Sequence, residues 1–362
     1  MYNLKEKAII FIDGFINLEY KHKRAIINLY DNIEDLFDNP NPAFNYLKEN
    51  LNENACNIFK LSLNNDYING LFTKYQERGI TIVTEESDSY PSRLLELDFN
   101  PLCLYAKGDI SLLNSKNTFA IVGSRKTSKV VLSAVEDFSS KLTSASVTIV
   151  TGIAQGADLS AIKGGASSGK VISVMASGSD YWALDPNRDF VNKIIEKGGL
   201  VISEYSPEVP PRAYFYPIRN RIIAGLCDGV LIASGDSKSG ARHTANYALD
   251  YGKEIFAFPY GLKDSGGELC NSLIKDGARL TETYEDISEV MGYSAQQESE
   301  IQLSKEEKLV YECISQGINL VDDIIVKTNL KIFEIMPIIT MLEIKGLIVS
   351  SGGNEYVKTA KK

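Results

Sequence analysis

Apolar residues recur every three to four positions from Ile9 to Leu36 and again from Phe44 to Phe72, the spacing of helices that bury one face. The helical pattern continues over 71–79. Ile80-Thr81-Ile82-Val83 then predicts a short strand, followed by turn chemistry at Ser87-Asp88-Ser89-Tyr90-Pro91. From Asn117 the rhythm changes. Continuous apolar runs predict strands at 119–122, 147–151, 171–175, 200–203, 230–233 and 255–258, and runs without alternation suit a parallel sheet covered on both faces. Helical stretches lie between them, near 128–143, 159–167, 189–197, 219–227, 244–251 and 269–275. Such alternation predicts a doubly wound α/β domain whose ligand-bearing loops follow the strands. Residues 292–302 have little apolar content and read as a linker. Beyond them, three helix-sized patterns and a hairpin around Gly352-Gly353-Asn354 predict a winged helix.

The length of 362 residues suggests two or three domains. No apolar run is long enough for a membrane span, and the start lacks a secretory signal, so the expected compartment is the cytoplasm. The five cysteines, Cys56, Cys103, Cys227, Cys270 and Cys313, are widely spaced without a C-x-x-C and read as reduced thiols. With only His22 and His243, a multi-histidine metal site is excluded. The net charge of −9 argues against nucleic acid until it is divided. Residues 1–114 hold 11 basic and 17 acidic side chains, whereas residues 115–290 hold 19 and 20. The acidity therefore sits mostly at the N-terminal end.

Four loops could carry chemistry. Gly123-Ser124-Arg125-Lys126 follows the first parallel strand, where exposed amides and the Arg125 fork suit an anion. The later glycines of a dinucleotide fingerprint are missing, and a tight turn with Arg125 in a structural ion pair is weighed equally. The second loop holds Gly152 and Gly156, with Asp158 read as a helix N-cap. In the third, Arg212, Arg219 and Arg221 are interleaved with Tyr214, Phe215 and Tyr216, a mixture that suits phosphates and unpaired bases. At least one of these arginines is expected to be structural, with Arg219 or Arg221 pairing with Glu204. The fourth, 234–245, opens another helix with Ser239, Gly240, Arg242 and His243. Gly164-Gly165-Ala166-Ser167-Ser168-Gly169-Lys170 imitates a P-loop, but a helix precedes it, a strand follows, and Val171 replaces the required Ser/Thr.

The ordered set G-S-R at 123–125, T-G-I-A-x-G-A-D at 151–158, S-E-Y at 203–205, P-x-R-N-R-I-I-A-G-L at 217–226 and S-G-A-x-x-T-A at 239–245 resembles the DNA-processing protein DprA (Smf) family. Tyr90-Pro91-Ser92-Arg93-Leu94-Leu95 and Leu104-Tyr105-Ala106-Lys107-Gly108 also fit. The resemblance implies a helical domain over 1–85 (SAM- or helix-hairpin-helix-like), an extended Rossmann-like domain over 86–291, a linker over 292–302 and a winged helix over 303–362. It implies a homodimer that binds single-stranded DNA without turnover, protects incoming strands in natural transformation and helps load RecA. No catalytic residue, cofactor, metal or membrane association is expected. The implied DNA-binding residues are Gly123, Ser124, Arg125, Lys126, Gly152, Gly156, Lys163, Arg212, Tyr216, Arg219, Asn220, Arg221, Ser239, Gly240 and Arg242. The basic ones among the loops are expected to line one crevice. Ile162-Lys163 and Arg242-His243 depart from the family pattern.

The predicted recognition helix, 331–345, is mostly apolar, with Lys331 and Lys345 its only basic residues and Pro337 inside it, so protein contact is favoured over duplex readout. The alternative function is a nucleotide-processing hydrolase, or a nucleotide sensor, of the lysine-decarboxylase-like superfamily. The hydrolase's P-G-G-x-G-T-x-x-E motif has no glutamate counterpart in residues 239–247.

Overall fold

The computed structural model describes residues 2–15, 18–262, 264–293, 303–345 and 347–358, which form parts of two compact units, Met1–Ala295 and Gln296–Lys362. Most of the expected linker, 294–302, lies outside the described residues.

The first unit opens with five helices: α1 (Leu4–Asp13), α2 (Tyr20–Ile27), α3 (Asn41–Asn50), α4 (Glu53–Ser62) and α5 (Asn65–Glu77). A reciprocal Asn3–Glu6 capping box starts α1, which is buried from Ala8 to Asp13 because its neighbours surround it. These helices pack on an antiparallel pair, β1 (Thr81–Thr84) and β2 (Cys103–Gly108). Alternation along this pair serves two cores: Ile82 and Tyr105 face the helices, while Val83 and Leu104 join the main α/β core.

After α6 (Ser92–Leu95) come β3 (Thr118–Val122), α7 (Lys129–Ser144), β4 (Thr148–Thr151), α8 (Ala157–Gly165), β5 (Val171–Val174), α9 (Arg188–Glu196) and β6 (Leu200–Ser203). Then follow α10 (Phe215–Leu226), β7 (Gly229–Ile232), α11 (Ala241–Asp250), β8 (Glu254–Ala257), α12 (Glu268–Lys275), β9 (Arg279–Leu280) and α13 (Tyr284–Met291). The sheet order is β1-β2-β6-β5-β4-β3-β7-β8-β9, parallel from β6 to β9 and antiparallel at β1 and β2. Ala120 and Val122 face α6 and α10–α12, whereas Phe119 and Ile121 face α7–α9 and α13, so the continuous run is apolar because both faces are covered. The chain winds from β3 toward β6 on one side and from β7 toward β9 on the other. The switch point is therefore between β3 and β7, where such folds hold ligands.

The predicted parallel strands occur with boundaries moved by about one residue. Strands β2 and β9 lie outside the runs expected to be strands. The β2 run follows a proline-containing loop and owes its place to pairing with β1 and β6, while β9 is only two residues long and half-exposed. The expected N-cap at Asp158 is corrected: Gly156 occupies that position, and Asp158 is buried in the first turn of α8. Of the five cysteines, none is bonded to another, and all but Cys56 are buried. Among the described residues, no helix is long and apolar enough to cross a membrane.

The second unit packs α14 (Lys305–Ser315), α15 (Val321–Thr328) and α16 (Ile332–Ile344) against the hairpin β10 (Ile348–Gly352) and β11 (Glu355–Lys358), a winged helix. Helix α16 continues through Pro337. Its Ile335, Ile339 and Leu342 fill the small core, leaving Ile332, Phe333, Met336 and Met341 exposed.

Candidate functional site

At the β3/β7 switch point lies a crevice of about 800 Å³. Four segments build it: the loop after β3, the loop from β4 into α8, the first turns of α10, and the loop from β7 into α11. Its tight loops depend on glycine. Gly156 has φ +94°, and a side chain there would meet the Ser124 carbonyl at 2.3 Å. At Gly152, an added carbon would lie 2.5 Å from Asp158 Oδ2 and 2.9 Å from Arg219 Nη2.

The backbone amides expected to meet an anion are largely committed already. Ser124 N donates to the Ser234 carbonyl (3.1 Å) and Ser234 Oγ (3.0 Å), tying the two loops together. The amides of Lys126, Ala241, Arg242 and His243 bond to Ser124 Oγ, Ser239 Oγ, and the carbonyls of Ser239 and Gly240. Anion capture therefore falls to side chains. Arg125, Lys126, Arg219 and Lys238 line the crevice against two carboxylates, Asp158 and Asp236. Among the described residues, the side chains of Arg125, Lys126 and Lys238 make no hydrogen bond or ion pair, and the Arg125 guanidinium sits 5.8 Å from the Tyr216 ring centroid. The structural ion pair weighed for Arg125 does not form.

Arg219 reaches the crevice from below and is only 5% exposed. It donates to the Val174 carbonyl and to Asn220 Oδ1, and burial lowers its pKa while neighbouring Asp158 opposes that fall. Burial also raises the Asp158 carboxyl to about 6, against the pull of Arg219. The Ala154 amide donates to Asp158 Oδ2 at 3.2 Å.

The expected residues do not all converge. Gly123, Ser124, Arg125, Lys126, Tyr216, Arg219, Asn220, Ser239 and Gly240 line the crevice, and Gly152 and Gly156 shape its floor. Arg212 and Arg221 lie on the opposite side of the lead-in to α10, lining a different cavity. Arg221 is the structural arginine: it grips Glu204 bidentately at 2.9 and 2.6 Å and donates to the Phe99 carbonyl at 3.0 Å. Residues two apart on a helix do not share a face, which separates Arg219 from Arg221. Lys163 lies in a separate groove with its ammonium 6.0 Å from the Phe190 ring centroid, and Arg242 bonds back to the Ser237 carbonyl. The expectation that Arg212, Arg221 and Arg242 share one crevice with Arg125 is therefore corrected. Lys238 and Asp236 line the crevice and were not singled out. Their signal was position alone, in the loop leaving β7.

A doubly wound sheet with a cation-lined crevice at its switch point, joined in sequence to a winged helix, defines a Rossmann-like class suited to anionic polymers. The family described as DNA recombination-mediator protein A matches residues 81–292, and the DprA winged helix domain matches residues 294–354. The chain belongs to the DNA recombination-mediator protein A family, a family of DNA-processing recombination mediators. The DNA processing protein DprA of Bacillus subtilis is 34% identical over 59% of this chain and 72% of its own length. That of Streptococcus pneumoniae is 36% identical over 55% and 70%. The crystal structure of the Streptococcus pneumoniae protein matches with a TM-score of 0.66 at 27% identity, covering 78% of this chain and 96% of the other. A Helicobacter pylori DNA processing protein A, described for its single-stranded DNA binding mode, matches with a TM-score of 0.53 at 28% identity, over 59% and 98%.

Proposed function

We propose that this chain holds single-stranded DNA in the β3/β7 crevice, with phosphates on Arg125, Lys126 and Lys238 and a base against Tyr216. The observation carrying this reading is the Arg125 guanidinium, unpaired among the described residues and beside an aromatic ring that is itself 36% exposed. A guanidinium next to a ring offers both parts of an unpaired nucleotide a contact. Gly123, Gly152, Gly156, Ser124, Asn220, Ser239 and Gly240 shape the loops, and Arg219 adds charge from below. The same reading makes the protein a cytoplasmic homodimer that covers incoming strands without chemical turnover and passes them to RecA. It assigns residues 1–85 to a helical layer, 86–291 to strand binding and 303–362 to protein contact. The Helicobacter relative's described single-strand binding supports it.

Fluorescence anisotropy with labelled single- and double-stranded oligonucleotides across a salt series tests the binding. Single strands are expected to bind more tightly, with a log–log salt slope of roughly −0.7 per neutralised phosphate. Equal affinity for both forms, or no effect of Arg125→Ala, would sink the reading. For the hand-over, the rate of RecA filament growth on a covered strand should rise with the protein present.

A further inference from the structure

Across the lead-in to α10 from the crevice lies a second cavity, of about 680 Å³, between α2 and the Rossmann-like layer. That volume falls within the range of roughly 300–1,000 Å³ typical of small-ligand sites. Its charges are mostly answered within the protein. Lys23 pairs with Asp13 at 3.0 Å, Arg221 with Glu204 at 2.6 Å, and rim residue Glu19 with Lys21 at 2.9 Å. What remains for a ligand is aromatic. Phe99 is 62% exposed and Tyr214 54%, while Tyr205 stacks on Phe215 behind them with centroids 3.9 Å apart. Among the described residues lining it, one cation is left without a carboxylate: exposed Arg212, which donates to Tyr214 Oη at 2.8 Å and lies 5.7 Å from the Phe215 ring centroid.

We infer that this cavity is a second base-stacking site for the strand held in the crevice, with Tyr214 and Phe99 as platforms and Arg212 on the intervening phosphate. The inference rests on the single-strand reading above. Neighbouring residues of one turn divide between the two sites: Ala213, Tyr216 and Pro217 line the crevice, and Arg212, Tyr214 and Phe215 the cavity. A helix is roughly 10 Å thick, a distance that a few unstacked nucleotides span. Ring faces with one free guanidinium match a nucleotide unit rather than a fully charged or fully apolar ligand.

The test is an oligothymidine length series read by anisotropy, with the unaltered chain, Arg125→Ala, Arg212→Gln and the double variant Phe99→Leu/Tyr214→Leu. All four altered side chains are at the surface, and thermal melting checks that each variant is folded. Longer strands should bind the double variant roughly 10-fold more weakly, and Arg212→Gln several-fold more weakly, while strands too short to leave the crevice bind both normally. Arg125→Ala should weaken binding at every length. A 2-aminopurine base placed beyond the crevice should be quenched on the unaltered chain and not on the double variant. Equal affinity of the double variant and the unaltered chain at all lengths, or equal weakening at all lengths, overturns the inference. If Arg125→Ala still weakens binding, the crevice reading survives that failure. No binding of any strand by the unaltered chain overturns both. A protein partner lost with the double variant, while strand affinity is unchanged, would overturn the stacking site and assign the cavity to protein.

Discussion

Arg125 of the crevice and Lys345 of the winged helix use their charges in opposite ways. In the crevice, Arg125, Lys126 and Lys238 stand without carboxylate partners among the described residues, beside loops that the protein has already stitched together. In the winged helix, Lys345 is drawn inward to both Glu307 oxygens, at 2.7 and 2.8 Å, and the exposed face of α16 is apolar around Phe333 and Met336. A guanidinium or ammonium committed to the fold secures the backbone, while one left over is available to a ligand. Counting basic residues along the chain cannot distinguish the two, whereas tracing each partner can.

The hardest way to break that distinction is to remove a committed cation. Arg221→Ala strands Glu204 in a buried setting and should cost about 3–5 kcal/mol of stability in urea unfolding. The folded fraction should still bind strands short enough to stay within the crevice almost normally. Arg125→Ala should do the reverse: roughly 10- to 100-fold weaker binding, in line with the ~1.5–3 kcal/mol of a charge-assisted hydrogen bond, at an unchanged melting temperature. A smaller effect comes from Asp158, whose carboxyl is held up at about 6 by burial. It is charged at pH 7.5 and neutral at pH 5, so the crevice becomes more positive as pH falls through about 6, and strand affinity should rise there. Asp158→Asn, made in a His243→Gln background, should remove the rise. The same raised value means that this group's contribution to stability is present at low pH and lost as pH rises through about 6. Last, Lys331→Ala in the winged helix should change single-strand affinity by less than about 0.5 kcal/mol in the same anisotropy assay.

Much of the sheet was legible because a strand covered on both faces must be continuously apolar, and β3 to β8 obey that rule. The antiparallel extension was not, since β2 is defined by which strands it meets rather than by its own pattern. The crevice was legible as a set of loops following strands. The division of its arginines was less so. Spacing separates Arg219 from Arg221, but the placement of Arg212 depends on the path of the proline-stiffened segment before α10, which local sequence does not specify. Asp158 was misread because its position, one residue past the helix start, resembles a cap. Its role depends on Arg219, some sixty residues away in the chain.

Val83 and Leu104 belong to one core, while Ile82 and Tyr105 belong to another. The β1–β2 ribbon is thus a shared wall, and neither side can be removed without undressing the other. A shortened chain lacking α1–α5 would present Ile82 and Tyr105 to water, and one beginning after β1 would also leave an unpaired strand edge at β2. Such fragments should aggregate unless the apolar positions they newly expose are made polar. The helical layer behaves as a fitted part of the molecule rather than a detachable accessory.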